Sequence, residues 1–150
     1  MRNDSKRVAL PQITVRNAQR ILPVNVVDLE KFAAQAMRYC LRLRRNKPTD
    51  LIKLSELFVL LVSDRRMASL HRQFLNEPGP TDVLTFGHGE IFISVETARR
   101  NARAFGNSFA RELRLYILHG LLHLHGFDDR SKADARRMKA TQDKALASLS

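Results

Sequence analysis

Two histidines spaced to share one face of a helix dominate the chemistry that this sequence can carry. His119 and His123 are four residues apart in an apolar run without proline, so a helix would present both imidazoles on the same side. Gly126 follows three residues later and can adopt the positive φ that ends a helix and turns the chain back. Asp129 is then placed to supply a carboxylate. The spacing predicts a metal site held by His119, His123 and Asp129.

The residues between these ligands limit what the metal would do. The pattern His-x-x-x-His-x-x-Gly-x-x-Asp has the ligand spacing of the long zinc-protease signature, with two changes. Gly120 stands where those enzymes carry their glutamate base, which disfavours peptidase chemistry. Asp129 stands where they carry a third histidine, which keeps one Zn²⁺ plausible and makes Mn²⁺ or Mg²⁺ alternatives. The structural alternative is a pair of histidines that only pack or form hydrogen bonds.

Two further polar residues of this segment have less specific interpretations. His125 lies two residues beyond His123, on the opposite side of the helix, so it is expected to pack or lie at the surface rather than bind a metal. Asp128 either accepts a hydrogen bond from a ligand imidazole or caps the loop, and the sequence favours neither role. No glutamate adjoins His119, so no catalytic residue beyond the metal ligands is assigned and the general base stays open.

Length and composition set the class of protein. The 150 residues fit a single domain spanning 1–150, with 44% hydrophobic and 27% charged residues, and residues 1–7 are expected to be frayed. No apolar run approaches the roughly 20 residues needed to cross a bilayer, and no signal-like apolar region follows the first residues. Cys40 is the single cysteine and is expected to be buried. A cytoplasmic protein without a membrane partner is the simplest interpretation.

The charge balance is the second functional signal. The chain carries 26 Lys plus Arg against 15 Asp plus Glu, which gives a formal net charge of +11. Such a field favours polyanionic partners, and nucleic acid is the commonest of these. A membrane surface is the competing partner, but no basic amphipathic segment also has a bulky aromatic face. The remaining alternative is a basic surface that serves only solubility.

Four segments have the pattern of strands. Residues 12–16 alternate as a short first strand, and Leu57–Val62 is a continuous apolar run typical of a central strand covered on both faces. Residues 83–86 and 90–95 flank a glycine-containing turn and predict a hairpin-like pair. These segments would form a small sheet.

The remaining apolar segments have helical periodicity. Asn46–Asp50 is predicted to be a loop. In the second helix Phe74 is expected to face inward with Met67 and Leu70, and the fourth helix carries the histidines and is apolar nearly all round, so it should run through the core. The helices run from Asp28 to about Arg44, from Ser63 or Asp64 through Phe74, from Glu96 to Ala104, from Ser108 through the histidines, and from Ser131 to about Leu149.

Three ordered motifs give the chain a family resemblance. The run from His119 to Asp129 resembles the His-Gly-x-Leu-His-Leu-x-Gly-Tyr-Asp-His signature of the YbeY family of bacterial endoribonucleases. Pro80–Phe86 is similar to that family's Pro-Thr-Asp-Val-Leu-Ser-Phe segment, and Gly89–Ala98 to its Gly-Asp-Ile-x-Ile-Ser-x-Glu-Thr-Ala segment. The motifs occur in the family's order, and the similarity covers roughly residues 55 to 149.

The resemblance implies a fold and a partner. The fold would be α+β, a small mixed β-sheet covered by about five helices, with the metal site on a buried helix and the turn after it. The implied cofactor is one zinc ion held by three side chains. The implied substrate is single-stranded RNA at the ends of ribosomal RNA, and the implied partner is the small ribosomal subunit.

Two positions depart from the family pattern. Asp129 replaces the family's third histidine, and Leu75 replaces an arginine that the family commonly carries after an aromatic residue near the metal. Arg72 lies one helical turn before Leu75 and is the candidate RNA contact in its place. These departures bear on the rate of any reaction and on whether activity is retained.

Three hypotheses for function follow. The first is a single-strand-specific, metal-dependent endoribonuclease of ribosomal RNA maturation and ribosome quality control, which hydrolyses phosphodiester bonds with a metal-activated water. The second is a catalytically weakened, ribosome-associated RNA-binding protein of the same fold, suggested by Asp129 and Leu75. The third is a metallopeptidase, suggested by the ligand spacing and opposed by Gly120. RNA cleavage that needs metal separates the first hypothesis from the second.

Overall fold

A four-stranded mixed sheet organises the helices of this protein. The computed structural model describes residues 10–77, 79 and 81–149, so the predicted fraying of residues 1–7 lies outside it. None of the helices in this part of the chain is both long and apolar enough to cross a membrane. In chain order the elements are β1 Gln12–Asn17, α1 Val26–Arg42, α2 Asp50–Lys53, β2 Glu56–Val62, α3 Asp64–Leu75, β3 Val83–Phe86, β4 Glu90–Ser94, α4 Val95–Phe105, α5 Phe109–Leu124 and α6 Lys132–Leu149.

The strand order is β1-β2-β4-β3. The central strand β2 is parallel to β1 and to β4, and the edge strand β3 is antiparallel to β4. A helix follows each of the first two strands, as crossovers between parallel strands require. The expected α+β class with a small mixed sheet is confirmed, as is the hairpin-like pair of β3 and β4.

The main core lies between one face of the sheet and the helices α1, α5 and α6. Its sheet side is formed by alternate residues of β1, β2 and β4, and α5 contributes the largest helical share. The prediction that the histidine-bearing helix runs through the core is therefore confirmed. A metal site on that helix would be held by an element that is packed into the core. The buried residues of α5 are Glu112, Leu113, Tyr116, Ile117, Leu118, Gly120, Leu121, Leu122 and Leu124.

The second face of the sheet is only partly covered, by α3. Met67 and Leu70 are buried against it as predicted, but Phe74 is 54% exposed, so the prediction that Phe74 faces inward is wrong. The reason is that Phe74 lies in the last turn of α3 and packs on Phe86 at the end of the edge strand β3, with 5.2 Å between the ring centroids, so most of its ring stays exposed. Phe58 and Leu60 of β2 are also only half-buried, so β2 is not fully covered on both faces.

Helix α1 begins three residues earlier than predicted. Asn25, not Asp28, is its N-cap, and the Asn25 side chain accepts a hydrogen bond from the Asp28 backbone N–H at 3.1 Å. Asp28 lies instead in the first turn, where its charge complements the helix dipole and pairs with Arg114 of α5 at 2.8 Å. The predicted loop 46–50 ends in the one-turn helix α2, capped by Thr49.

One carboxylate joins α3 to the start of α4. Ser94 and Thr97 donate hydrogen bonds to Asp64 Oδ1 at 2.5 and 2.7 Å, and Arg100 donates to Oδ2 at 2.6 Å. Glu96 accepts a hydrogen bond from the Asp64 backbone N–H at 2.9 Å. The Ser-x-Glu-Thr part of the third sequence motif therefore has a structural role, because these contacts fix the N-termini of two helices.

Candidate metal centre

Helix α5 presents both histidines at the edge of the sheet. Gly120, which follows His119, packs on β4, and a Cβ atom on residue 120 would lie 2.7 Å from Ile91 Cγ2. A glutamate at this position would collide with β4, so the steric fit that brings α5 onto the sheet leaves no room for a peptidase-type base. Gly120 therefore marks a helix–sheet contact, and the side chains of His119 and His123 project beside it.

The turn after α5 brings the third candidate ligand back towards the histidines. Gly126 has φ of 87°, its N–H donates to the His123 carbonyl, and the Phe127 N–H donates to the Leu122 carbonyl at 2.9 Å. This pair of bonds is the glycine-ended helix terminus that the sequence predicts. The chain thus reverses direction over two residues, which places Asp129 opposite the helix end.

Asp128 closes the loop that carries Asp129. Its carboxylate accepts hydrogen bonds from the backbone N–H groups of Asp129 and Arg130 at 2.7 and 3.2 Å, and from the Arg130 guanidinium at 2.8 Å. The pKa of Asp128 is lowered, first by the Arg130 hydrogen bond. Of the two roles open to Asp128, these contacts match the loop cap; none of them involves an imidazole.

Three ligand atoms converge. His119 Nε2 lies 3.0 Å from His123 Nε2 and 3.5 Å from Asp129 Oδ2, and His123 Nε2 lies 3.7 Å from the same oxygen. Donor atoms bound at about 2.0–2.1 Å to a tetrahedral zinc ion are about 3.3 Å apart, so these separations fit one small cation. The three side chains are 27%, 29% and 41% exposed, which leaves the outer side of the site open.

The environment of His119 favours the neutral imidazole that a metal needs. Burial lowers its pKa, and the neighbouring His123 lowers it further, whereas the carboxylates of Asp129 and Asp82 act in the opposite direction. The other nitrogen, Nδ1, contacts the side-chain amide of Gln142 from α6. Because Nε2 faces His123 and Asp129, the Gln142 contact fixes the ring with its ligating nitrogen outward.

Gln142 did not emerge from the sequence. It lies on the stripe of α6 that also includes Met138, Ala145 and Leu146, and all four residues are buried. The available signal was a polar residue among apolar positions at spacings of four, three and one. Without the fold, nothing in the sequence shows that this stripe faces His119.

His125 is buried as a structural residue. Its Nδ1 and Thr49 Oγ1 are 2.9 Å apart, and its Nε2 lies 2.8 Å from the Leu43 carbonyl oxygen. Burial lowers the pKa of His125. His125 therefore joins the end of α5 to the connection between α1 and α2, consistent with the expectation that it packs rather than binds a metal.

One cavity is lined by both histidines. This cavity, here called the metal cavity, has a volume of about 290 Å³ and is lined by Leu75, His119 and His123 with Asp50, Val83, Leu84, Thr85, Gly87 and Leu124. None of these lining residues is a lysine or an arginine. Arg72 lines a separate groove with Arg65, Ser69 and Gln73, so its proposed contact with RNA stays a prediction.

A comparison with protein-family models identifies the family of this chain. The family model described as Endoribonuclease YbeY matches residues 14–150. The chain belongs to the YbeY family. The resemblance carried by the three sequence motifs is thereby confirmed, and it extends to β1, outside the range those motifs cover.

Individual relatives agree with the family assignment. The chain is 36% identical over 135 residues to Endoribonuclease YbeY of Thermobifida fusca, covering 79% of this chain and 84% of that protein. It is 37% identical over 115 residues to the Frankia alni protein of the same name, covering 63% of this chain and 64% of the relative. The solution structure of TM1509 from Thermotoga maritima matches with a TM-score of 0.63 at 26% identity, over 91% of this chain and 88% of that one.

Proposed function

We propose that this chain is a metal-dependent endoribonuclease that hydrolyses single-stranded RNA in ribosomal RNA maturation and ribosome quality control. Its metal ligands would be His119, His123 and Asp129, with one Zn²⁺ per chain and Mn²⁺ or Mg²⁺ as alternatives. The convergence of three ligand atoms within 4.8 Å of one another, in a member of the YbeY family, is the observation that carries the proposal.

A metal bound by these residues would supply Lewis acidity, lowering the pKa of a water molecule and polarising a phosphoryl oxygen. Three protein ligands and an exposed outer side are typical of catalytic zinc sites, whereas structural zinc sites use four protein ligands. Asp129 gives the site one negative charge that a third histidine would not, so a metal bound there would be less electrophilic than one held by three histidines.

Two further residues of this chain would act around the reaction. With its amide turned so that the oxygen, in place of the Nε2 nitrogen recorded at this contact, faces His119 Nδ1, Gln142 would accept a hydrogen bond from Nδ1–H and hold the ligating nitrogen towards the metal. Asp50 is the only carboxylate among the described residues that line the metal cavity. Its side chain lies against Gly87 of the same wall, so closely that a Cβ on residue 87 would come within 2.8 Å of Asp50 Oδ2. We assign to Asp50 the role of accepting the proton that the attacking water loses.

RNA fits the remaining features as substrate. The net charge of +11 attracts a polyanion, and cleavage beside an open cavity requires a strand whose backbone is accessible. Association with ribosomal RNA and the small ribosomal subunit, in the cytoplasm, forms part of the same proposal.

The first test is the metal content of protein purified without added metal, compared with Asp129→Ala. We expect about one zinc ion per chain in the unaltered protein and its loss in the variant. A labelled single-stranded RNA should then be cleaved, with activity abolished by a chelator and restored by zinc, while the matching duplex is spared. Protein that binds neither zinc nor manganese after soaking would eliminate the hydrolase.

A catalytically weakened RNA-binding protein is the second candidate. Leu75 favours it, because that residue lines the metal cavity at the position where the family commonly carries arginine, and the cavity walls hold no lysine or arginine. RNA binding without metal-dependent cleavage would support this candidate. The metallopeptidase alternative is disfavoured, because Gly120 packs on Ile91 at the position where the glutamate base of such an enzyme would stand.

A further inference from the structure

We propose that a basic cleft beside the metal cavity binds the phosphate backbone of the RNA strand on one side of the scissile bond. The basic cleft is formed by Arg44, Arg45 and Lys47, in the connection between α1 and α2, and by Arg137 of α6. This inference rests on the proposed function, and it names the residues of this chain that would hold the substrate.

Position is the first argument. The cleft has a volume of about 620 Å³, within the range of ligand sites, and three of its lining residues also line the metal cavity. These shared residues are Asp50, His123 and Leu124. A strand lying in the cleft would therefore pass directly beside a candidate metal ligand, so binding there would present a phosphodiester to the metal.

Rigidity is the second argument, because the connection is tied to the turn that follows α5. The Arg45 guanidinium donates to the Gly126 carbonyl at 2.9 Å and lies 3.9 Å from the centre of the Phe127 ring. The buried His125 bonds Thr49 and the Leu43 carbonyl from the other side. These ties hold the cleft at a fixed position relative to the metal site, which lowers the entropy lost on binding.

Charge is the third argument. Arg45 is held by its contacts to the turn, and Arg137 pairs with Asp134 at 3.1 Å. Arg44 and Lys47 are exposed, and neither forms an ion pair within the described part of the chain. Asp50 is the only acidic lining residue of the cleft described here, and it stands at the end that adjoins the metal cavity. The free cations are thus available to phosphates a short distance from the metal.

An unpaired strand is the form of polyanion that this arrangement favours. Contacts from guanidinium and ammonium groups to phosphates do not depend on base sequence. A cleft beside a partly exposed metal site fits a flexible single strand better than the rigid paired backbones of a duplex. The cleft would also supply the cations that the metal cavity lacks, because Leu75 lines that cavity and none of its described lining residues is a lysine or an arginine.

The test measures RNA binding separately from cleavage. Binding of a fluorescent single-stranded RNA is followed by anisotropy in the presence of a chelator, for the unaltered protein and for Arg44→Ala/Lys47→Ala. We expect the dissociation constant to rise about tenfold in the double variant. The negative slope of the logarithm of the association constant against the logarithm of salt concentration should become less steep by about 1.4, since each phosphate contact contributes about 0.7.

A matched control separates local contacts from net charge. Arg99→Ala/Arg103→Ala removes the same two positive charges from exposed positions of α4 that line a different cavity. We expect it to bind RNA as the unaltered protein does, and Arg44→Lys/Lys47→Arg to retain tight binding. Equal weakening by both double alanine variants, or no binding by the unaltered protein, would overturn the cleft. Binding that depends on the cleft without any metal-dependent cleavage would retain the cleft and reject the nuclease.

Discussion

Gly120 of α5 lies against Ile91 of β4 so closely that a Cβ on residue 120 would come within 2.7 Å of the Ile91 Cγ2 atom. We expect Gly120→Ala to lower the free energy of unfolding by about 1–3 kcal/mol, because overpacking this contact outweighs the gain in helix propensity of about 1 kcal/mol. Urea denaturation monitored by circular dichroism measures the change.

The partner residue provides a control for this contact. Ile91→Ala alone should cost about 2–5 kcal/mol by leaving a cavity, and combining it with Gly120→Ala should cost less than the sum of the two single changes. Strict additivity would show that the close approach does not restrict residue 120.

The contact between Gln142 and His119 predicts a metal affinity that depends on a residue outside the ligand set. We expect Gln142→Ala to weaken zinc binding about 10- to 100-fold, because His119 Nδ1 loses the group that orients its ring. Gln142→Glu should retain tight binding, since a carboxylate also accepts the Nδ1 hydrogen bond. Competition with a chromophoric chelator measures both affinities, and an alanine variant as tight as the unaltered protein would refute the role.

The parts of the candidate site that depend on spacing along the sequence were predictable, and the parts that depend on tertiary packing were not. His119, His123 and Gly126 follow from helix spacing and glycine conformation, and the structure places them as expected. Gln142 and Asp50 reach the site from α6 and α2, and their proximity depends on how those helices pack. No pattern within a short window encodes that packing.

The fold shows the same division. The strands and the buried α5 were evident from apolar periodicity, whereas Phe74 has the spacing of a buried residue and is exposed because it packs only on the end of the edge strand β3, through Phe86. Asn25 and not Asp28 is the N-cap of α1. Both residue types favour that position, so the residue type alone does not distinguish them.

The Asp64 network predicts a pH-dependent contribution to stability. Burial alone would raise the pKa of Asp64, but the hydrogen bonds from Arg100, Ser94 and Thr97 outweigh it and hold the pKa below its usual value. The charged carboxylate therefore stabilises the folded state at pH above about 4, and this stabilisation is lost as the pH falls through the folded-state pKa.

A neutral replacement should reproduce that loss. We expect Asp64→Asn to cost about 1.5–3 kcal/mol at pH 7, because charge-assisted hydrogen bonds are removed, and the difference from the unaltered protein to shrink as the pH falls through the folded-state pKa of Asp64. Chemical denaturation at a series of pH values measures it. A difference that is constant with pH would show that the carboxylate charge has no part in the network.

Asp50 is predicted to act in the chemical step without holding the metal. Asp50→Asn should lower kcat for RNA cleavage about 100-fold while leaving zinc content unchanged, since general base catalysis typically contributes about 10²–10⁴-fold. The acidic limb of the pH–rate profile should persist at a lower rate, because the ionisation of the metal-bound water, which sets that limb, does not depend on residue 50. An unchanged kcat with a raised KM alone would assign Asp50 to substrate binding instead.

Asp129→His tests what the carboxylate does to the metal. The three ligand atoms lie 3.0–3.7 Å apart, so an imidazole in this position can complete the same site, and we expect about one zinc ion per chain to be retained. Replacing an anionic ligand by a neutral one raises the net charge of the site by one unit. The attacking water should then ionise more readily, which would move the acidic limb of the pH–rate profile to lower pH. Asp129→Asn serves as the control, because it removes the charge without supplying an imidazole and should bind zinc more weakly than either. If the acidic limb lies at the same pH in Asp129→His and in the unaltered protein, the ligand at residue 129 does not set the acidity of the attacking water.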